Sequence, residues 1–266
     1  MTMYSSLKLA TKYLHYYLTA ANGKGHGTHS PFVFEFITRV LNDYRHYPAY
    51  TPIELLRRTL RHDPGLVEIT DLGAGSVYKT TTSRSIASIT RHAAKPPKLG
   101  QLLYRVARHY SPATMLELGT SLGLSTAYLA AGAPQARLWT IEGAPAIANK
   151  ARENLATLEK KADVLTGNFD TVLPGLLNDM PPVELAFIDG NHRCEPTVRY
   201  FDAIFQHAAP SSALIFDDIH WSEEMETAWD TIRSDPRVYL TIDLFFIGFV
   251  FRREDFKVKQ DFIIRF

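Results

Sequence analysis

Residues 115–125 read MLELGTSLGLS. An apolar run meets Glu117, and a loop with Gly119 and Gly123 leads into a helical stretch, STAYLAA. A strand that hands a glycine loop to the start of a helix is a common seat for a nucleotide-like ligand. ITDLGAGSVYK, residues 69–79, has the same outline, with Asp71, Gly73 and Gly75. The segment downstream of each loop decides between them. An adenosyl group needs a carboxylate at the end of the next strand, roughly 20 residues on, to accept hydrogen bonds from the ribose hydroxyls. After the later loop, RLWTIE (137–142) ends on Glu142. After the earlier loop no Asp or Glu occurs until Glu117; the segment carries Lys79, Arg84, Arg91, Lys95, Lys98, Arg105 and Arg108. The later loop is therefore the expected adenosine site, and the earlier one a decoy.

Working outward, apolar runs alternate with helical patterns after Thr114. PAIANKARENLATL (145–158) places Ile147, Ala151, Leu155 and Leu158 on one helical face. ADVLTG, VELAFID and ALIFDD read as strands; DTVLPGLLND, EPTVRYFDAIFQHA and SEEMETAWDTIR suit helices, the last with Ser222 as its N-cap. This alternation argues an α/β chain with a doubly wound, mostly parallel sheet. VYLTIDLFFIGFVFRR reads as two strands reversing near Phe245–Phe246, which adds an antiparallel pair at the far edge. Before Thr114, residues 5–18 and 32–41 look helical, with Ser30 and Pro31 as N-cap and first helical residue. Leu99, Leu102, Leu103, Val106 and Tyr110 form one helical stripe. The expected organisation is a helical lead-in at 1–97 and a ligand-binding domain at 98–266.

The chain has 266 residues, 45% of them hydrophobic, enough for one large core or a core with an appendage. A net charge of +1 gives no global field for polyanions. Cys194 is the lone cysteine, which excludes an internal disulfide and suits a reducing compartment. Lys8 and Lys12 interrupt the apolar start, so no signal peptide is read there, and LFFIGFVF is too short to span a bilayer. The expectation is a cytoplasmic protein with no membrane partner.

Gly119-x-x-x-Gly123 is not the dinucleotide fingerprint, and no P-loop lysine comes after it. Glu117 at the strand's mouth repels phosphate and suits an ammonium-bearing ligand. S-adenosylmethionine carries both a sulfonium and an ammonium. LGQLLYRVARHYSPATMLELGTSLGLSTAYLA closely resembles the start of the catechol O-methyltransferase-like group of class I S-adenosylmethionine-dependent methyltransferases. The similarity runs from about Leu99 to Arg252 and is most specific at LELGTSLGLS, TIEG, FIDGNH and IFDDIHW. It implies a Rossmann-like methyltransferase fold with a seven-stranded sheet. Cofactor contacts are then expected from Glu117, Gly119, Thr120, Ser121, Gly123, Ser125, Glu142 and Asp189. The resemblance puts Asn168, Phe169 and Asp170 around the adenine. It gives no residue-level guidance for the first 97 residues.

Asp189 ends the strand before GNH, and Asp217 and Asp218 end the next. In a doubly wound sheet such ends converge beside the cofactor's methyl group. Three clustered oxygen ligands suit a hard divalent cation, Mg2+ first. The family pattern has two aspartates and an asparagine; here Asp218 replaces the asparagine. The expected reaction is metal-assisted methyl transfer to an oxygen of a small molecule. A phenol with a pKa near ~10 needs deprotonation. His192 stands where the resemblance puts a catalytic lysine and is one candidate base; His220 is the other, and either could instead be a rim residue or a metal ligand. Asn191 and Trp221 could shape the pocket; Trp221 and Trp229 equally suit core packing.

His26 and His29 have metal-like spacing but no third ligand nearby, and a structured turn or substrate cover is the favoured reading. The DLGAGS loop, with Lys79 and Arg84, could hold an anionic substrate group. The C-terminal KVKQDFIIRF suits a tail that packs on the sheet or crosses to another subunit, as in a homodimer. Three alternatives compete: a metal-independent N- or O-methyltransferase, an RNA-directed enzyme or nucleic-acid binder using the basic 79–108 segment, and a non-catalytic cofactor scaffold. Near-zero net charge weighs against nucleic acid.

Overall fold

The computed structural model of the protein describes residues 3–25, 30–70 and 81–266. The DLGAGS loop (Asp71, Gly73, Gly75), with Lys79, and the pair His26 and His29 lie outside the described residues. The chain divides into two compact units, Met1–Asn42 with Pro181–Phe266, and Asp43–Met180.

In the Asp43–Met180 unit, α3 (Tyr50–Leu60), α4 (Ile86–His92) and α5 (Pro97–Tyr110) precede the first parallel strand. Between α3 and α4, β1 (Leu66–Thr70) and β2 (Thr81–Ser85) pair antiparallel. The segments on either side of the early loop, 66–70 and 81–85, are therefore extended, and TTSRS, rich in β-branched threonine, suits a strand. The lead-in is thus helical with one β-hairpin. Then come β3 (Thr114–Leu118), α6 (Leu124–Gly132), β4 (Arg137–Glu142), α7 (Pro145–Thr157), β5 (Asp163–Thr166) and α8 (Phe169–Asp179). β3, β4 and β5 are parallel neighbours, and β3 is buried along its whole length. α5 and α6 approach closely: a Cβ on Gly100 would lie 2.5 Å from the Tyr128 ring, and one on Gly132 would overlap the Tyr104 carbonyl. Glycine is needed at both positions for these helices to meet.

The other unit opens with α1 (Ser6–Thr19) and α2 (Pro31–Phe36), which runs on as a π-helical turn over Ile37–Leu41. Ser5 caps α1 through the Lys8 amide, and Pro31 starts α2 after Ser30. After the chain returns it forms β6 (Val183–Ile188), α9 (Cys194–His207), β7 (Ala208–Asp217), α10 (Glu223–Ser234), β8 (Leu240–Asp243), β9 (Ile247–Phe251) and β10 (Gln260–Ile263). The β8–β9 reversal turns through Phe245 at φ +71°. Ser222 caps α10 by accepting from the Met225 amide. Trp229 is core: Gly248 lets it approach, since a Cβ there would lie 2.7 Å from its ring.

One sheet has the order β10-β8-β9-β7-β6-β3-β4-β5. It has eight strands where seven were expected. The eighth is β10, in the C-terminal tail, which pairs parallel with β8 of its own chain. Among the described residues no helix is long and apolar enough to cross a membrane.

Candidate active site

Glu117, on β3, is fully buried and stands in register with Thr140 of β4, so their side chains share a face. Thr140 donates to Glu117 Oε2 at 2.7 Å, and Thr126 of α6 donates to the same oxygen at 2.5 Å. Thr120 Oγ1 lies 2.6 Å from Thr140 Oγ1. Thr140 has one proton and directs it at Glu117, so Thr120 is the donor in this second bond. The strand end and the loop are thereby locked through a buried chain of hydroxyls.

The loop's path is set by backbone conformation. Gly119, Ser121 and Gly123 have φ of +100°, +47° and +80°. The Gly119 and Thr120 amides both donate to the Ile141 carbonyl, and the Gly123 amide donates to the Thr120 carbonyl. Gly123 ends the loop and precedes α6, where Ser125 is half-buried in the first turn.

Glu142 meets this loop from the next strand. Its Oε2 accepts from the Ser121 amide at 2.8 Å and its Oε1 from the Ala144 amide at 3.0 Å. The two amides aim a half-exposed carboxylate at the loop. Such a group accepts from hydroxyl donors, as a ribose presents, and repels phosphate. These residues fit an adenosyl group. The Gly167 amide donates to the Glu142 carbonyl at 2.9 Å, which brings Asn168, Phe169 and Asp170 beside it. Asn168 caps α8 by accepting from the Asp170 amide; Asn168 and Phe169 are half-buried and Asp170 is exposed.

In the other unit, Asp189 comes directly after β6 and Asp217 closes β7, the latter 1% exposed. With His192 they form a group whose ligand atoms all lie within 4.8 Å of one another. His192 Nε2 stands 3.5 Å from Asp189 Oδ1. Two carboxylates and an imidazole fit a divalent cation, and the nitrogen favours Mn2+ or Zn2+ over Mg2+. Asp218, expected as the third ligand, is not in this group. It comes immediately after Asp217, adopts φ +54°, and its amide donates to the Phe246 carbonyl.

His220 is engaged elsewhere. Its Nε2 lies 2.8 Å from Asp243 Oδ2 and its Nδ1 3.0 Å from Glu226 Oε1, and the ring stacks on Phe245. Burial opposes its charge, but the bonds and charges of Asp243 and Glu226 outweigh this and raise its pKa. Both ring nitrogens are occupied, which fits an ion-pair linchpin better than a base. Asn191, at φ +62°, donates to the Tyr200 hydroxyl at 3.0 Å. The Trp221 carbonyl accepts from the Tyr4 amide. Sequence reasoning missed Thr126, Thr140, Glu226 and Asp243. Strand register alone could have flagged Thr140, since TMLEL and RLWTI align it with Glu117.

Residues 116–219 match the family described as methyltransferase domain. The matched stretch is similar to methyltransferase domains, and the sheet it lies on is Rossmann-like. The curated relatives are catechol O-methyltransferases from Niastella koreensis, 30% identical over 46% of this chain and 57% of the relative, and from Mycobacterium tuberculosis, 33% identical over 45% and 54%. The chain thus spans about half the length of the curated relatives it matches. Among solved structures, an O-methyltransferase from Bacillus cereus in complex with S-adenosylhomocysteine has a TM-score of 0.54 at 20% identity, covering 83% of this chain and 97% of that one. A Podospora anserina methyltransferase bound to the same product reaches 0.59 at 16% identity, covering 86% and 100%. At these identities the structures establish the fold.

Proposed function

We propose that the protein transfers the methyl group of S-adenosylmethionine to an oxygen of a small molecule with the help of a divalent cation. The observation that carries the reading is Glu142, held against the glycine loop by the Ser121 and Ala144 amides within a methyltransferase domain. Glu142 binds the ribose hydroxyls. The locked chain from Thr120 to Glu117 fixes the loop for the methionine end, with Gly119 and Ser125. Asn168, Phe169 and Asp170 border the adenine. Residues 98–266 form the catalytic domain and 1–97 the lead-in that shapes acceptor choice. The relatives named for catechol support a hydroxylated aromatic acceptor. A cytoplasmic location agrees with the single free Cys194.

Asp189, Asp217 and His192 would hold the cation. When bound, it lowers the pKa of an acceptor hydroxyl and fixes its approach. The contact between His192 and Asp189 supports a second reading: without a cation, Asp189 orients His192 to take the acceptor's proton. A methyl-transfer screen over catechols and phenols, with Mg2+, Mn2+ or EDTA, separates the two. Turnover that survives EDTA removes the metal and leaves His192 as base. Calorimetry with S-adenosylhomocysteine tests the cofactor site: Glu142→Ala is expected to weaken binding at least tenfold, the loss of roughly one charged hydrogen bond. Unchanged affinity would refute the ribose assignment.

A further inference from the structure

Two parallel strands deliver the first two donors of the candidate cation site. β6 and β7 are neighbours with Ile188 beside Phe216, and Asp189 and Asp217 come one residue further on. Strands paired in this way stand about 4.8 Å apart, so both carboxylates reach one point at the strand ends. Two carboxylates alone would suit Mg2+, a hard cation that takes oxygen and keeps several waters. The third donor is a nitrogen. His192 forms one group with Asp189 and Asp217, their ligand atoms all within 4.8 Å of one another. Its Nε2 stands 3.5 Å from Asp189 Oδ1. That is longer than the roughly 2.7–3.2 Å of a good N–H···O hydrogen bond. It is close to the separation of two ligands that share one ion, since donors about 2.1 Å from a tetrahedral centre lie about 3.4 Å apart.

His192 is put there by the turn between β6 and α9. Asn191 has φ +62°, a left-handed conformation that asparagine tolerates better than most residues. Its side-chain amide donates to the Tyr200 hydroxyl at 3.0 Å, and Tyr200, on α9, is buried. The turn is therefore tied to the next helix one residue before the nitrogen donor. We propose that His192 selects the cation of this site, Zn2+ in preference to Mg2+, and that Asn191 is the positioning residue that holds it to that role. Imidazole is a good ligand for Zn2+, whereas Mg2+ is matched by carboxylate, carbonyl and water. The inference deepens the metal-assisted reading and rests on it for what the site is for; the selection itself is measured without methyl transfer. A nitrogen committed to a cation cannot also take the acceptor's proton, so His192 is ligand or base, never both at once.

The test uses the untagged full chain, stripped with EDTA, and Mn2+ as the probe. Electron paramagnetic resonance counts bound Mn2+, and its spin echo registers a coordinated nitrogen. Bound Mn2+ with a nitrogen coupling is expected, displaced by Zn2+ at a concentration at least about 100-fold below that of Mg2+. Oxygen ligands alone also favour Zn2+, so the variants decide. His192→Asn is expected to abolish the nitrogen coupling and to narrow the gap between Zn2+ and Mg2+ by at least about tenfold. Asn191→Val, which the left-handed turn resists, should narrow the gap in the same direction; Asn191→Gly, which accepts the turn, should restore most of it. His192 is partly exposed, and the melting temperature of its variant should match wild type. No bound Mn2+, bound Mn2+ without a nitrogen coupling, or a gap unchanged in His192→Asn or Asn191→Val overturns the proposal. Loss of S-adenosylhomocysteine binding beside an intact nitrogen coupling would remove the methyl-transfer reading and leave the cation site standing.

Discussion

Thr140 carries one hydroxyl proton, and the glycine loop after β3 depends on where that proton goes. It points at buried Glu117 and leaves its oxygen to accept from Thr120. Thr140→Val keeps the shape but strips one donor from a buried carboxylate, so a loss of about 1–3 kcal/mol in urea denaturation is expected. Thr140→Ser should recover most of it; a Val variant as stable as wild type would show the hydroxyl chain to be idle. Gly123 is set by conformation. At φ +80°, with Leu155 Cγ 3.4 Å from the place a Cβ would occupy, Gly123→Ala is expected to cost about 1–2 kcal/mol and to weaken S-adenosylhomocysteine binding in calorimetry. At this scale the sequence singled out Glu117 and Glu142 because acids at strand ends stand out against apolar runs. The threonines that hold Glu117 were hidden, since threonine is ordinary in a buried strand and its partner lies one strand away. Asp217 and Asp218 look equivalent as letters; the left-handed backbone at Asp218 separates them.

Helices and strands bring their own constraints. α5 and α6 meet at Gly100, and a methyl group there would overlap the Tyr128 ring. Gly100→Ala is expected to destabilise by about 1–3 kcal/mol, read from the denaturant midpoint. α1 is held to α10 and β8 by Tyr4, Lys12, Glu226, His220 and Asp243. The raised pKa of His220 means its contribution is complete below its unfolded value, near ~6.5, and disappears as pH rises through the folded value. Glu226 runs the other way. Burial raises its pKa, but Tyr4, Lys12 and His220 pull it lower, so its contribution is present above its unfolded value and lost as pH falls through the depressed one. Amide exchange in α1 should therefore quicken at the alkaline side of His220's raised pKa, and His220→Gln should flatten that dependence. Periodicity made the alternating strands and helices after Thr114 legible, as it did the reversal at Phe245. It did not reveal α3, α4 or the hairpin of β1 and β2, where short polar elements carry little apolar rhythm. β10 was legible only as an apolar tail, because its pairing with β8 is non-local.

Over the whole molecule, the two ends of the chain share one unit. Ala21 bridges to Ile264, the Arg265 amide donates to the Ala21 carbonyl, and the Phe266 amide donates to the Tyr16 hydroxyl. Removing residues 260–266 takes away a four-residue edge strand and these contacts together. A loss of about 2–4 kcal/mol is expected, with light scattering rising as β8 becomes an open edge. A truncated chain that melts like wild type and stays clear would contradict this. The same arrangement bears on how the chain is made. The Asp43–Met180 unit is continuous and can fold as it leaves the ribosome. The opening helix must wait for the final strand, on the order of ten to forty-five seconds at usual elongation rates. During that interval its leucines and tyrosines are bare on both sides, a demand for chaperone protection that ends only once β10 has emerged.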